Sequence, residues 1–340
     1  MSTIAFFSKY LPSDKPSGVS VQVHRLAQQL VKNGHSVTCF SFSPKPADAL
    51  YTVVQIPWNK TNRFFQKLYP AIVFKKIPVG TFDIVHYHGD DYLCKGRKNR
   101  VRTFYGSALD EALHAATVSR LLYQSLFYCF EWISCFRKGT CIAISDTTRK
   151  RLPRISRVIH CSVPLDMYKY EIEKKSKHPS ILFLGDLDSR KRGRLLLDAF
   201  EKEVLPECPD CTLTVIGPQA CSGKNVIHIK NCSEQGLIQL YQQSWIYCMA
   251  SSYEGFGVPL IEAAACGCVV VAAANPGISE IINDNENGLL CNSEYLGKTL
   301  QRVINDTKLR EFLVANGLNS VRKYSIENGC RCYDEIYYGK

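Results

Sequence analysis

A chain of 340 residues is too long for one ordinary hydrophobic core and suits two domains. With 46% apolar and 21% charged residues it has ordinary globular composition, and no stretch reaches 18 uncharged apolar residues, so no membrane span is expected. The net charge of +11 is uneven: residues 1–165 carry 23 Lys or Arg against 9 Asp or Glu, whereas residues 166–340 carry 19 against 22, which points to an acidic partner for the first half.

Residues 4–8 (IAFFS) read as a first strand rather than a signal peptide, because no charged leader precedes a long apolar run. A loop with Pro12, Pro16 and Gly18 follows. A helix is then predicted over 19–33, with Val23, Leu26, Ala27, Leu30 and Val31 on one face and Gly34 at its C-cap. A strand over 37–42 completes one βαβ unit of a doubly wound sheet. Residues 82–88 (FDIVHYH) form a buried strand ending in polar residues, where ligands bind in open α/β sheets. His88 stands at that end, either as a ligand contact or hydrogen-bonded to a neighbouring loop, and His86 is assigned to the opposite face as structural. Asp90 and Asp91 are candidates for acceptor hydroxyls or ordinary surface charges.

Further strands are predicted over 101–105, 141–145 and 158–163. Between the first two, residues 120–136 (RLLYQSLFYCFEWISCF) are too short to span a membrane and are interrupted by Gln124 and Glu131. They read first as a core helix. The other reading is a helix lying in a membrane interface, with Arg137, Lys138 and the basic run at 149–157 on anionic headgroups. The charged stretch 166–180 reads as a linker between a first domain over 1–165 and a second over 181–322.

The second half opens with strand, loop and helix (ILFLGDLDSRKRGRLLLDAF, from Ile181). Strands over 213–216 and 226–229, a helix over 234–244, strands over 246–250 and 269–272, an Asn275-Pro276-Gly277 turn and a helical region from 296 to 340 follow. Sixteen cysteines in a chain without an export signal are expected to be free thiols in a reducing compartment. Cys208 and Cys211, with Cys221 and Cys232 beyond, are a zinc candidate whose spacing fits no common pattern, and no metal site is predicted.

The most informative stretch is YEGFGVPLIEAAACG, from Tyr253 to Gly267. Glu254 precedes Gly255 and Gly257, which let backbone approach a ligand. Pro259 suits the first turn of a helix, and Glu262 is placed in that opening turn. The free N–H groups and the positive helix end favour an anion such as a phosphate, while two acceptor-only carboxylates favour hydroxyls. A diphosphate between two hydroxylated rings, as in a nucleotide-sugar, fits both demands.

This string resembles the Glu-x7-Glu signature of retaining glycosyltransferases of the GT-B fold, family 4. The resemblance implies an α/β chain of two Rossmann-like doubly wound domains facing each other across a cleft, with a last helix (323–340) that returns to the first domain through Tyr333–Tyr338. It implies that Glu254 meets the donor sugar and Glu262 the ribose, with Gly255, Phe256, Gly257 and Val258 lining the donor. It places His88 near the donor's sugar and phosphates, and Gly18 beneath the diphosphate unless it is a plain loop glycine. Lys191, six residues after Gly185, matches the family lysine that holds the diphosphate. The arginine expected directly after Gly185 is Asp186 here, so Arg190 or Arg192 supplies the missing charge. Tyr105 stands where relatives often have histidine. Asp186-Leu187-Asp188 spells the metal motif of a different glycosyltransferase fold and is read as coincidence.

The expected activity is therefore metal-independent, cofactor-free transfer of a sugar from a UDP- or GDP-sugar to a hydroxyl of a glycan, glycolipid or small-molecule acceptor, with retention. The expected setting is cytoplasmic, with an anionic membrane surface as a possible partner. Competing readings are a GT-B epimerase or phosphorylase, or a non-catalytic nucleotide-sugar binder. A nucleic-acid partner ranks lowest, because no interleaved basic–aromatic platform is present.

Overall fold

The computed structural model describes residues 1–13, 17–58, 63–115 and 117–339, with the side chains of 63–67 also outside the description; Pro16 of the first loop lies outside it. The chain forms two compact units, Met1–Ser162 with Ile326–Lys340, and Val163–Ser325. Each is a parallel sheet wound on both faces by helices, so the fold is α/β with two Rossmann-like domains.

The first unit runs β1 (Thr3–Phe7), α1 (Gly18–Lys32), β2 (Ser36–Ser41), β3 (Thr52–Gln55), α2 (Arg63–Phe74), β4 (Ile84–Tyr87) and β5 (Arg100–Phe104). It continues with α3 (Ala108–Leu113), α4 (Val118–Cys135), β6 (Thr140–Ala143), α5 (Asp146–Arg151) and β7 (Arg157–Val158). The strand order is β3-β2-β1-β4-β5-β6-β7, all parallel. The central strands are buried on both faces, as helices on both sides require. Ser17 caps α1 in a reciprocal capping box with Ser20. Of the strand expected over 158–163, only Val158 joins the sheet, together with Arg157 before it.

The second unit runs β8 (Ser180–Leu184), α6 (Gly193–Ala199), a π turn (Phe200–Val204), α7 (Leu205–Glu207), β9 (Thr212–Ile216), β10 (Val226–Ile229) and α8 (Glu234–Gln243). It continues with β11 (Ile246–Met249), α9 (Val258–Ala265), β12 (Val269–Ala273), β13 (Leu289–Cys291), α10 (Leu296–Asn305) and α11 (Thr307–Ser320). The order is β10-β9-β8-β11-β12-β13, again all parallel. In each sheet the order reverses once, at β1/β4 and at β8/β11, and ligands of such sheets bind beyond the strand C-termini at that reversal.

One stretch differs from its sequence reading. Residues 166–180 are packed on the second unit: Tyr168 is buried with its hydroxyl on Glu234 Oε1 at 3.0 Å, and Lys175 Nζ donates to the Ser244 and Tyr241 carbonyls at 2.6 and 3.2 Å. Charge in a sequence signals exposure, but lysine stems bury readily while their ammonium finds carbonyls. The last helix, α12 (Ile326–Tyr338), belongs to the first unit. There Cys330, Tyr333 and Tyr337 join the core of β1, β2 and α1, and the Tyr337 hydroxyl meets His86 Nδ1 at 2.7 Å.

Candidate functional site

At the β8/β11 reversal, two loops bring three sequence-predicted residues, Lys191, Arg190 and Glu254, into reach of one another. The loop after β8 begins at Gly185, whose φ of +151° and close neighbours both call for glycine; a Cβ there would lie 2.7 Å from Lys191 Cγ. The lysine stem therefore lies across bare backbone and delivers its ammonium to the loop after β11. There Lys191 Nζ meets Glu254 Oε1 at 2.6 Å, and an Arg190 terminal nitrogen meets Glu254 Oε2 at 2.9 Å. The same nitrogen donates to the Tyr253 carbonyl at 2.7 Å. Gly277, of the Asn-Pro-Gly turn, supports Glu254 from behind, since a Cβ at 277 would fall 2.0 Å from the Glu254 carbonyl oxygen.

Glu254 is 6% exposed. Burial pushes its carboxyl upward, but Lys191 and Arg190 outweigh burial and hold it below the usual range. The trio is a carboxylate carrying two cations, net positive, and so suited to a neighbouring dianion.

The structure also separates the two arginines that the sequence could not. Arg192 is left-handed (φ +52°) at the N-cap of α6 and turned the other way. Its Nε donates to the Ala250 carbonyl at 2.7 Å and a terminal nitrogen to Ser293 Oγ at 2.8 Å, so it clamps three loops. Arg190 is the arginine that shares Glu254 with Lys191. Asp188, the second aspartate of the DLD string, is held by both ends of Arg194 at 2.6 and 2.8 Å. Among the described residues, no group of three or more His, Cys, Asp or Glu could hold a metal ion.

The helix after Glu254 begins at Val258, with Gly257 (φ +106°) as its N-cap and Pro259 as its second residue. Glu262 is thus the fifth residue, in the second turn and not in the opening one as the sequence suggested. It is 6% exposed, and Tyr241 Oη lies 3.5 Å from its Oε2. The Phe256 ring is buried against Tyr324, with centroids 5.7 Å apart, so what Phe256 can offer a ligand is backbone. Asn275 was read only as a turn residue. Its side chain reaches the Ser251 carbonyl at 3.1 Å and the Ile278 amide at 3.3 Å, tying the Glu254 loop to the turn behind it.

The β1/β4 reversal of the first unit holds His88 and, at the start of α1, Gly18. His88 Nδ1 shares a hydrogen with the Tyr105 hydroxyl at 2.9 Å, its ring lies on Phe6 (4.5 Å), and its buried Nε2 has no hydrogen-bond partner among the described residues. Burial, and then the charge of Arg102, push its pKa down to about 3, so the ring is neutral. Tyr105, the departure from the family's histidine, is what orients this ring. His86 is on the same face and not the opposite one, with its ring centroid 4.0 Å from that of His88, because residues two apart along a strand point the same way. It is structural, spanning Tyr337 Oη and Thr103 Oγ1 at 2.7 and 2.8 Å. Asp91 is neither a surface charge nor free for an acceptor. It is buried between Arg100 and Arg102, and accepts from Ser134 Oγ at 2.7 Å.

At its reversal point this doubly wound sheet presents a buried carboxylate shared by Lys and Arg ahead of a glycine-capped helix, an arrangement chemically suited to an anionic, hydroxylated ligand. Two family models agree in consecutive segments: glycosyltransferase family 4 over residues 16–167 and glycosyl transferases group 1 over 167–320. The chain belongs to family 4 of the GT-B glycosyltransferases and is an enzyme that transfers sugars from nucleotide-sugar donors. It is 26% identical to the phosphatidyl-myo-inositol mannosyltransferase of Mycobacterium tuberculosis over 349 aligned positions, covering 92% of this chain and 90% of the relative. Its fold is shared with sucrose-phosphate synthase from Thermosynechococcus elongatus (TM-score 0.80, 18% identity, covering 100% and 99% of the chains). It is also shared with Anabaena HepE in complex with UDP-glucose (TM-score 0.78, 15% identity, both chains covered in full).

Proposed function

We propose that the enzyme transfers a hexose from a UDP- or GDP-sugar to a hydroxyl of a glycan or glycolipid, with retention and without a metal. The observation that carries this reading is the Lys191–Glu254–Arg190 trio at the β8/β11 reversal. In the reaction the bond from the anomeric carbon to the diphosphate oxygen breaks, and negative charge grows on the leaving diphosphate. Lys191, Arg190 and the amides at the start of α9 stabilise that charge where it develops, doing with fixed cations what a divalent ion would otherwise do. Glu254, kept ionised, accepts hydroxyls of the sugar, and Glu262 accepts from the ribose. The acceptor oxygen bonds to the anomeric carbon on the face the diphosphate leaves, and its proton passes to a donor phosphate oxygen. Neutral His88 is assigned a hydrogen-bonding role, because its Nε2 has no hydrogen-bond partner among the described residues.

UDP has the more direct support, since the same fold holds UDP-glucose in HepE, and the mycobacterial relative is named a phosphatidyl-myo-inositol mannosyltransferase. The latter, with the basic first half, supports a lipid-linked acceptor and an anionic membrane surface as partner. No helix among the described residues is long and apolar enough to cross a membrane.

The test is a donor screen. UDP-, GDP-, ADP- and dTDP-sugars are each offered with chelator, release of nucleoside diphosphate is followed, and the anomeric configuration of the product is read by NMR. Turnover of one donor in chelator with retained configuration, lost in Glu254→Ala, is the expected result. A strict metal requirement, or an inverted product, would overturn the mechanism.

A further inference from the structure

The helix α4 is the most apolar helix of the first unit, and the structure turns much of that apolarity outward. Only Ser134 and Cys135 of its eighteen residues are buried. Leu122 is 67% exposed, and Leu126, Trp132, Ile133 and, just past the helix, Phe136 are exposed as well. The spacing of 122, 126, 129, 133 and 136 puts these positions on one stripe along a helix of about 27 Å. The inner positions fit a different set of partners: Phe130 stacks on Tyr92 at 4.6 Å, and Tyr128 Oη donates to the Arg151 carbonyl at 2.6 Å. The core-helix reading is thereby corrected. Apolarity all round a helix does not say which side is covered, and here the covered side is the one toward Tyr92 and α5.

Cations stand at the C-terminal end of this stripe on both sides. On one, the loop before β5 carries exposed Lys95, Arg97 and Lys98, and is tied to the end of α4 by the Arg97 amide on the Lys138 carbonyl at 2.9 Å. On the other, α5 and the turn after it present exposed Arg149, Lys150, Arg151 and Arg154, and the Arg154 guanidinium lies 5.3 Å from the centre of the Phe136 ring. Asp146 and Asp110 pair with Arg149 and Arg151, leaving Lys150, Arg154 and the opposite cluster in excess.

We infer that α4 and its two basic flanks are the surface by which this enzyme lies on an anionic lipid bilayer, α4 in the plane of the interface with its stripe among the acyl chains and the flanks on the headgroups. The inference rests on the proposed lipid-linked acceptor and names the surface that reaches it. The alternative occupant is a second copy of the chain. A two-fold contact would bring like-charged flanks together where the helices run parallel and leave both flanks without counter-charge where they run antiparallel, whereas anionic lipid satisfies stripe and flanks at once.

The test is sedimentation with vesicles of mixed phosphatidylglycerol and phosphatidylcholine, against pure phosphatidylcholine, at low and high salt. Three proteins are compared: the wild type, an apolar variant (Leu122→Ser, Trp132→Ser, Phe136→Ser) and a charge variant (Lys150→Glu, Arg154→Glu). All changes are at exposed positions, and unchanged nucleoside diphosphate release in the absence of vesicles shows that the variants are folded. The wild type is expected to bind anionic vesicles only, with binding reduced by salt. The apolar variant should bind at least tenfold more weakly, the charge variant should lose the salt-sensitive part, and a blue shift of tryptophan emission on binding should vanish in Trp132→Phe. If the wild type fails to bind, the membrane reading itself falls. If all three bind alike, that reading stands and the α4 surface is wrong. A concentration-dependent dimer that the apolar variant breaks would overturn the inference in favour of a second copy.

Discussion

The reversal points of the two sheets, β1/β4 and β8/β11, occupy the same place in the same strand order and carry opposite chemistry. In the second unit three ionised side chains converge on the loop ends, and the carboxylate at their centre stays charged because two cations outweigh its burial. In the first unit the group at the strand end is a neutral histidine. Its neighbouring charges are consumed internally: Asp91 is enclosed by Arg100, Arg102 and Ser134. The sheet topology thus provides two equivalent crevices, and side chains alone decide that one presents net positive charge and the other a neutral ring.

The largest expected effect tests whether the first unit's charges are structural. Asp91→Ala leaves Arg100 and Arg102 buried without their counter-charge, which should cost about 3–5 kcal/mol. Denaturant unfolding should show the first unit's transition moved far down while the second's stays in place. A loss below about 1 kcal/mol would mean that Asp91 is not the keystone its contacts suggest. Next, Lys191→Ala removes a cation where leaving-group charge grows. By analogy with loss of one oxyanion donor, donor turnover should fall about 10²–10³-fold with the fold intact. A loss of only a few-fold would place the charge stabilisation elsewhere.

A smaller effect separates the two arginines. Arg190→Ala should raise the donor KM about tenfold, near 1.4 kcal/mol, with little change in the melting curve. Arg192→Ala should do the reverse, because it orphans the Ala250 carbonyl and the Ser293 hydroxyl at a cost of about 1–3 kcal/mol. Thermal unfolding and donor titration of both variants read the difference. The opposite pattern would return Arg192 to the donor.

What the sequence disclosed follows from where local signals are strong. The glycine-flanked Glu254 string and Lys191 behind Gly185 are local patterns, and the reversal point brings them together without further information. The choice between Arg190 and Arg192 depended on one left-handed residue at an N-cap, which composition does not announce. Strand β3 (Thr52–Gln55) and helix α2 went unread because the strand is a short, largely exposed edge and the helix contains Pro70. Asp91 was invisible as a buried ion because its partners lie nine and eleven residues away on β5, and His86 was misplaced through a slip of strand parity.

The neutrality of His88 is the sharpest point of contrast, and it has a pH signature. The ring's pKa falls from an ordinary 6.5 to about 3 on folding. Between those values the unfolded chain binds a proton that the folded chain does not, so stability rises with pH. The contribution is complete above about pH 6.5 and is lost as pH falls toward 3, by about 1.4 kcal/mol for each pH unit. His86, also buried and held neutral, contributes in the same sense. His88→Gln keeps a hydrogen bond available for Tyr105 but cannot titrate. It should lower the slope of the first unit's unfolding free energy against pH between 6 and 4 by about 1.4 kcal/mol per pH unit, the share due to His88. In the wild type, donor kcat/KM should show no limb from His88 between pH 6 and 8. A limb near 6.5 that disappears in His88→Gln would mean that this ring is charged in the working enzyme, and the contrast between a charged and a neutral crevice would fall.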